Sequence, residues 1–268
     1  MPAVVVRLLY SVGQRTPGVF AVTDWLEGRI IERVQWTAGL YSLRFEAPLG
    51  AFKAGQFVRI ALDIDGERVA RPYSLVNAPH EPWLEIYFNV VKGGPLSPRL
   101  AGLGPGDTLW ITASANGFLV LDEVPETRHL WLLATGTGIG PFLSILKTAD
   151  PWRRFEKVVL GHSVQLAAEL AYRDTIEALR AAHREQLEYV QLVTRESVAG
   201  ALGQRIPATI VSGALETAAG IPLSATSSHV MLCGNSAMIT DVTEVLAQRG
   251  MHRHRRREPG HITTEKYH

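Results

Sequence analysis

One glycine-rich segment, Ala134-Thr-Gly-Thr-Gly-Ile-Gly-Pro141, limits the possible folds of this chain more than any other feature. It follows the apolar run Leu130–Leu133 and precedes the apolar run Phe142–Leu146, which indicates a strand, a tight turn and a helix. Such a turn brings backbone N–H groups and a helix N-terminus to a phosphate. A simple strand–helix connection is the alternative. The predicted nucleotide-binding residues of the turn are Thr135, Gly136, Thr137, Gly138 and Gly140.

Composition narrows the class of protein. The 268 residues include 27 Lys and Arg against 26 Asp and Glu, so charge favours neither a nucleic acid nor a membrane surface as partner. The single cysteine, Cys233, excludes an internal disulfide and the usual cysteine-ligated clusters and zinc sites. We therefore expect a cytoplasmic protein with no metal, no nucleic acid and no membrane as partner, and we expect a monomer.

The N-terminal residues 1–23 are set apart from the rest. Met1–Tyr10 is apolar, but Arg7 interrupts it and no basic region or small-residue cleavage site accompanies it. We expect an N-terminal arm and not a secretory signal.

The remaining chain has two parts with different sequence patterns. Residues 28–112 contain short strand-like runs separated by turns, which is typical of an antiparallel barrel or sandwich. Beyond residue 128, strands alternate with helices such as the predicted helix Gln165–Arg184, which indicates a parallel sheet covered by helices. The polar, proline-containing segment 122–128 marks the boundary.

Two segments of the β half carry groups that suit a second, flat cofactor. In Arg71-Pro-Tyr-Ser74 the arginine suits a phosphate, the tyrosine ring can stack on a flat ring, and the serine hydroxyl suits a ring nitrogen. Gly93–Ser97 is a glycine-containing loop that opens a short helix and can hold a pyrophosphate. An edge strand with a proline is the alternative for the first segment.

The α/β half carries candidates for nucleotide selectivity. An NAD-specific enzyme needs an acid at the end of the strand that follows the glycine turn, whereas this chain has Gly161–Gln165. Arg195 and Arg205 can instead bind a ribose 2′-phosphate, with solvated surface arginines as the alternative. Cys233 ends a predicted strand where ligands gather in such sheets, and burial as a small apolar side chain is the alternative. The basic run Met251–Arg257 is either a solvated face or a surface for an acidic partner.

Taken together, these motifs resemble the bacterial ferredoxin/flavodoxin–NADP⁺ reductases, and the resemblance covers about residues 24–268. The matching segments, in chain order, are Arg71–Ser74, Gly94–Ser97, Gly117–Asp122, Ala134–Pro141, Val193–Glu196, Arg205–Pro207, Val230–Asn235 and Pro259–Tyr267. The resemblance implies a six-stranded antiparallel FAD-binding barrel over residues 24–125. It implies a doubly wound parallel-sheet NADP-binding domain over residues 126–268, whose tail lies over the flavin.

The same resemblance implies an enzyme that transfers hydride between NADPH and FAD, and single electrons between FAD and ferredoxin or flavodoxin. It assigns catalytic roles to Ser74, Cys233 and Tyr267. The implied cofactor-binding residues of the FAD side are Arg71, Pro72, Tyr73, Ser74, Gly94, Leu96, Ser97, Asn116, Tyr267 and His268. Those of the NADP(H) side are Thr135, Gly136, Thr137, Gly138, Gly140, Arg195, Arg205 and Cys233.

Two positions depart from the family pattern. Relatives often have an arginine where this chain has Gln165, which would weaken the preference for NADPH over NADH. His268 stands where such relatives often end in a tryptophan that covers the FAD adenine. A reductase of free flavin or of an oxygenase, with use of NADH, therefore remains an alternative function. A nucleotide-binding subunit without turnover is the other.

Overall fold

The computed structural model describes residues 24–267. The predicted arm, residues 1–23, and His268 lie outside the described residues. The chain folds as two sheets, one antiparallel with six strands and one parallel with five.

The first sheet is the predicted antiparallel barrel. Its strands follow the order β4-β3-β6-β1-β2-β5. A bridge between Leu75 and Ile86 joins the residues after β4 to β5 and closes the sheet. Alternate side chains such as Leu43, Phe45, Ile60 and Ile111 are buried in its centre, as a half-buried strand pattern requires. The strands are β1 (Trp25–Thr37), β2 (Leu40–Glu46), β3 (Phe57–Ile64), β4 (Glu67–Ser74), β5 (Leu84–Asn89) and β6 (Thr108–Thr112), and helix α1 (Ser97–Gly102) connects β5 to β6.

The second sheet is parallel, with the order β11-β10-β7-β8-β9. Its strands are β7 (His129–Thr135), β8 (Lys157–Val164), β9 (Leu187–Val193), β10 (Ser228–Asn235) and β11 (Ile262–Tyr267). The helices are α2 (Gly140–Leu146), α3 (Asp150–Arg154), α4 (Arg173–Ala182), α5 (Ile206–Ser212), α6 (Ala214–Ala219) and α7 (Ser236–Ala247). The direction of strand addition reverses between β7 and β10, and such a switch point is where open α/β sheets bind ligands.

Helices cover both faces of the parallel sheet, which confirms the doubly wound fold. Along β7, Leu130 and Leu132 belong to a core that includes α2 and Ile176 of α4. Trp131 and Leu133 point the other way, into a core formed by α5, α6 and α7. Because both faces are buried, β7 reads as a continuous apolar run.

The predicted helix Gln165–Arg184 is wrong in its first part. The structure has an irregular segment over residues 165–172 with a short 3₁₀ turn, Ala167–Glu169, and α4 begins only at Arg173. Tyr172 has a left-handed backbone with φ 58°, which ends any helix before it. The tertiary contacts of this segment therefore override its helix propensity.

The two halves share one apolar core. Leu40, Val76 and Tyr87 of the barrel are buried together with Phe142 of α2 and Tyr172. None of the helices between residues 24 and 267 combines the length and apolar character that a membrane crossing requires.

Candidate functional site

The glycine turn lies at the switch point. Residues Gly136–Ile139 form a 3₁₀ turn between β7 and α2, and Pro141 occupies the first turn of α2, as predicted. Gly136 has φ 52°, which favours glycine, and a Cβ there would meet no protein atom within 4 Å. At Gly136 the backbone of the turn therefore has the open space that close approach of a phosphate requires.

Gly138 is needed because the turn packs directly against the end of β10. A Cβ on Gly138 would lie 2.4 Å from the carbonyl oxygen of Cys233 on β10. On the other side, a Cβ on Gly234 would lie 2.2 Å from Oγ1 of Thr135. The Thr135 hydroxyl also accepts a hydrogen bond of 3.0 Å from the backbone N–H of Asn235. The glycines therefore allow the ends of β7 and β10 to meet.

His162 supports the turn from beneath, a role that sequence reasoning missed. Its side chain is fully buried, and its Nε2 lies 3.0 Å from the carbonyl oxygen of Gly136. Burial lowers the pKa of His162 to about 4, so the ring is neutral at neutral pH. Since a carbonyl only accepts hydrogen bonds, the Nε2–H donates to Gly136 and holds the turn in place.

The Arg71–Ser74 segment forms the C-terminal end of β4, the first strand in the order of the antiparallel sheet. Arg71 and Pro72 are exposed, whereas Tyr73 is half-buried and packs edge-on against Phe88 with ring centroids 5.9 Å apart. Burial raises the pKa of Tyr73 to about 12, so its phenol stays protonated. The segment therefore offers an exposed cation, an aromatic surface and a hydroxyl in sequence.

Ser74 joins the barrel to the end of the parallel sheet. The hydroxyl of Tyr267 donates to Oγ of Ser74 at 2.8 Å, and Ser74 donates to Oε1 of Glu265, also at 2.8 Å. Sequence reasoning gave Glu265 no role. The signal was available, because residues two apart on a strand point to the same side and Tyr267 was already a candidate.

Cys233 of β10 lies next to Tyr267 and Glu265. Its side chain is fully buried, and it contacts the hydroxyl of Tyr267. Burial raises the pKa of the Cys233 thiol, which keeps it protonated. Strand pairing places Cys233 opposite Glu265 and Asn235 opposite Tyr267, so one short stretch of β10 and β11 holds the whole group.

The second predicted loop of the barrel, Gly93–Ser97, is tightly folded. Leu96 and Ser97 are buried, and Oγ of Ser97 accepts a 2.9 Å hydrogen bond from the backbone N–H of Val91. A Cβ on Gly94 would lie 3.1 Å from the carbonyl oxygen of Val91, so the loop folds tightly. Asn116 is exposed and exchanges backbone hydrogen bonds of 2.8 Å with Phe57.

The residues predicted to bind a 2′-phosphate lie beyond the ends of β8 and β9. The backbone N–H of Arg195 donates to the carbonyl oxygen of Gln165 at 2.9 Å, which brings these two residues together. Arg195, Arg205 and Gln165 are all exposed. In the described part of the chain, neither arginine uses its guanidinium in a hydrogen bond. Their cationic groups are thus available to an anion.

Comparison with known proteins agrees with this architecture. A family model described as an oxidoreductase FAD-binding domain matches residues 29–118, and one described as an oxidoreductase NAD-binding domain matches residues 132–244. The flavodoxin/ferredoxin–NADP reductase of Escherichia coli (strain K12) is 47% identical over 247 residues, which cover 92% of this chain and 100% of the relative. The chain belongs to the flavodoxin/ferredoxin–NADP reductase family.

Further relatives place this reductase within the family. The ferredoxin–NADP reductase of Pseudomonas aeruginosa is 35% identical over 89% of this chain and 95% of that protein. A crystal structure of a ferredoxin–NADP⁺ reductase from Neisseria gonorrhoeae, with bound FAD and NADP, superposes with a TM-score of 0.86 at 34% identity. It covers 90% of this chain and 98% of that chain. The predicted family, the fold class and the two cofactors, FAD and NADP(H), are confirmed.

The side chains of this reductase fit FAD. The donor set combines the Arg71 guanidinium for a pyrophosphate with the Tyr73 ring for a flat ring system. The Ser74–Tyr267–Glu265 group adds hydroxyls and a carboxyl at the point where the barrel meets the sheet. On the nicotinamide side, the outward-facing Gly136 and the turn held by His162 suit a dinucleotide phosphate.

The Glu265 carboxyl is expected to make the stability of the reductase depend on pH. Burial raises the pKa of Glu265 to about 7, against the lowering effect of the Ser74 hydrogen bond. The folded protein therefore holds a proton that the unfolded chain has lost above its ordinary pKa. Stability is expected to fall as pH rises from 5 towards 7.

Glu265→Gln is expected to remove that pH dependence and to raise the melting temperature above that of the wild type at pH 8. Thermal melts of both holoenzymes between pH 5 and pH 8 measure it. Parallel curves for the two proteins would show that Glu265 does not titrate in this range.

Proposed function

We propose that this reductase transfers electrons between NADPH and ferredoxin or flavodoxin through bound FAD. The observation that carries the proposal is the hydrogen bond from Tyr267 to Ser74. This hydrogen bond joins the barrel segment Arg71–Ser74, the flavin motif, to β11 of the parallel sheet. Cys233 and the glycine turn lie beside it. Two planar cofactors bound to these motifs would meet there.

The barrel residues are assigned to FAD as follows. Arg71 would pair with the FAD phosphates, Tyr73 and Pro72 would contact the flavin ring, and the Ser74 hydroxyl would lie near a ring nitrogen. Tyr267 would cover the ring where nicotinamide enters. The pyrophosphate and adenosine part is assigned to Gly94, Leu96, Ser97, Asn116 and His268.

The nucleotide sheet supplies the nicotinamide site. Thr135, Gly136, Thr137, Gly138 and Gly140 hold the NADP(H) phosphates and the nicotinamide pocket, and Arg195 and Arg205 bind the 2′-phosphate. Tyr267 moves aside when nicotinamide binds, which exposes the thiol of Cys233 to it. The exchange between a two-electron donor and a one-electron carrier is supplied by FAD when it is bound.

The protein partner is assigned from charge. Arg253, Arg255 and Arg256 of the basic run line one cleft with the exposed Phe118, and Arg256 lies 4.6 Å from the Phe118 ring. Glu123 lines the same cleft and pairs with Arg256 at 2.7 Å, which leaves Arg253 and Arg255 as its excess positive charge. A cationic surface with an exposed aromatic ring suits a transient, acidic electron carrier such as ferredoxin or flavodoxin. We propose a monomer that acts in the cytoplasm without nucleic acid or membrane.

Carrier-dependent reduction of cytochrome c tests the function. With NADPH, the rate is expected to depend on added ferredoxin or flavodoxin and to exceed the rate with NADH. Equal rates with NADPH and NADH, and faster reduction of free flavin than of either carrier, would favour the alternative reductase, which the uncharged Gln165 permits. No reduction of any acceptor by an FAD-loaded protein would leave only a nucleotide-binding subunit.

Arg195→Ala is expected to raise the KM for NADPH by about 10- to 150-fold and to leave the KM for NADH unchanged. The reason is the loss of a charge-assisted hydrogen bond, worth about 1.5–3 kcal/mol, to a phosphate that NADH lacks. Gln165→Arg is the converse control and should lower the KM for NADPH only. Equal changes for both coenzymes would remove Arg195 from the phosphate site.

A further inference from the structure

The barrel closes through a buried seam, which consists of residues 75–77 after β4 and of Glu85 and Ile86 on β5. The backbone N–H of Val76 donates to the carbonyl oxygen of Glu85 at 2.9 Å. The N–H of Glu85 in turn donates to Oδ1 of Asn77, also at 2.9 Å. Asn77 and Glu85 are almost completely buried. The seam thus continues directly from Ser74 of the flavin motif.

The α/β half of the chain, the nucleotide half, contacts one end of this seam through α2. The hydroxyl of Ser144 donates to the carbonyl oxygen of Asn77 at 2.6 Å, and neither residue is exposed. Ser144 lies four residues after Gly140, the last glycine of the turn. A Cβ on Gly140 would lie 3.3 Å from Val76, so turn and seam are in close contact here too.

The nucleotide half binds the seam at its other end through Tyr172. The hydroxyl of Tyr172 donates to Oε1 of Glu85 at 2.7 Å, while Arg44 donates to the other carboxyl oxygen at 3.1 Å. The Tyr172 ring packs on Trp36 with centroids 4.7 Å apart and edge-on against Tyr87 at 5.2 Å. Tyr172 makes these contacts from a left-handed backbone conformation, with φ 58°.

We infer that the hydrogen-bonded chain Ser144–Asn77–Glu85–Tyr172 sets the spacing between the flavin site and the nicotinamide site. Ser144 and Tyr172 are positioning residues, because neither is among the residues assigned to FAD or NADP(H). The inference rests on the proposed function. Hydride transfer is steeply sensitive to distance, since a misplacement of about 1 Å can cost about 100-fold in rate. Loss of one link should therefore slow that transfer before it affects binding.

Ser144→Ala is the direct test, with Thr148→Val as the matched control. Thr148 donates its hydroxyl hydrogen bond to Ile145, within its own half, so the control removes a hydroxyl without touching the seam. In rapid mixing, the FAD-loaded Ser144→Ala enzyme should be reduced by saturating NADPH about tenfold more slowly than the wild type. Its affinity for NADP⁺ and its oxidation by ferricyanide should stay within twofold. Thr148→Val should match the wild type throughout.

A second readout does not depend on turnover. In Ser144→Ala, the backbone amides of Val76 and Glu85 should exchange with deuterium faster than in the wild type, and in Thr148→Val they should not. Tyr172→Phe keeps the aromatic packing and loses only the hydroxyl, so it tests the network if Ser144→Ala fails to fold. It should also slow reduction by NADPH.

Unchanged reduction rates in both seam variants would overturn the inference while leaving the proposed function intact. Equal slowing in Thr148→Val would also overturn it, since the effect would then be general. A wild-type holoenzyme that NADPH does not reduce would instead refute the proposed function, and this arm of the experiment distinguishes the two failures.

Discussion

Tyr267→Ser is expected to tighten NADP⁺ binding about 100-fold and to slow turnover. In the proposed site, nicotinamide must displace the Tyr267 ring, which costs its hydrogen bond to Ser74, about 1 kcal/mol. It also costs the burial of the ring, about 1.5–3 kcal/mol. Together these terms are near the ~2.7 kcal/mol that corresponds to 100-fold in affinity. A serine has no ring to displace, and tighter binding of the product slows its release.

Difference spectra on titration of the oxidised enzyme with NADP⁺ measure this effect. A new band from stacking of nicotinamide on the flavin is expected in the variant at low NADP⁺. Tyr267→Phe, which keeps the ring and loses the hydroxyl, should lie between the two. An affinity equal to that of the wild type would show that Tyr267 does not cover the nicotinamide position.

Gly234→Ala is expected to lower the free energy of unfolding by about 3 kcal/mol or more. Gly234 has φ 136°, a backbone region that other residues avoid, at a cost of about 1–3 kcal/mol. Its new Cβ would lie 2.2 Å from Oγ1 of Thr135 and 2.9 Å from the Thr135 carbonyl oxygen. Overpacking of this kind adds about 1–3 kcal/mol. Since Thr135 opens the glycine turn, NADP⁺ affinity should fall as well.

Gly220→Ala is the matched control for that variant. Gly220 has φ 68° at the end of α6, but a Cβ there would meet nothing within 4 Å. Its cost should stay near the ~1–2 kcal/mol of left-handed strain alone. Urea unfolding of both FAD-loaded variants gives the comparison. Equal losses would mean that β7 and β10 do not meet as closely as the structure shows.

The features that follow from local sequence were the predictable ones. The glycine turn, its preceding strand and Pro141 form one contiguous pattern, and the structure has the predicted strand, turn and helix there. The alternation of strands and helices after residue 128 likewise indicated the parallel sheet. The assignment of Thr135 to Gly140 to a nucleotide, and of Arg71, Tyr73 and Ser74 to a flavin, stays a prediction that rests on local sequence.

The features that depend on long-range contacts were not predictable in this way. The sequence could place Glu265 on the same side of its strand as Tyr267, but its hydrogen bond with Ser74, 191 residues away, depends on where the parallel sheet meets the barrel. In the sequence, nothing distinguishes His162 from other strand residues, because its role depends on its contact with Gly136. The predicted start of the helix at Gln165 was wrong because Tyr172 packs into the barrel, and no local sequence pattern indicates that contact.

Anaerobic titration of the purified, FAD-loaded protein with NADPH tests the central claim most directly. If the barrel and the parallel sheet bring a flavin and a nicotinamide together, the visible flavin absorption should be lost on addition of NADPH. It should return when oxidised ferredoxin or flavodoxin is added. A protein that takes up no FAD, or whose flavin absorption NADPH leaves unchanged, would contradict the account.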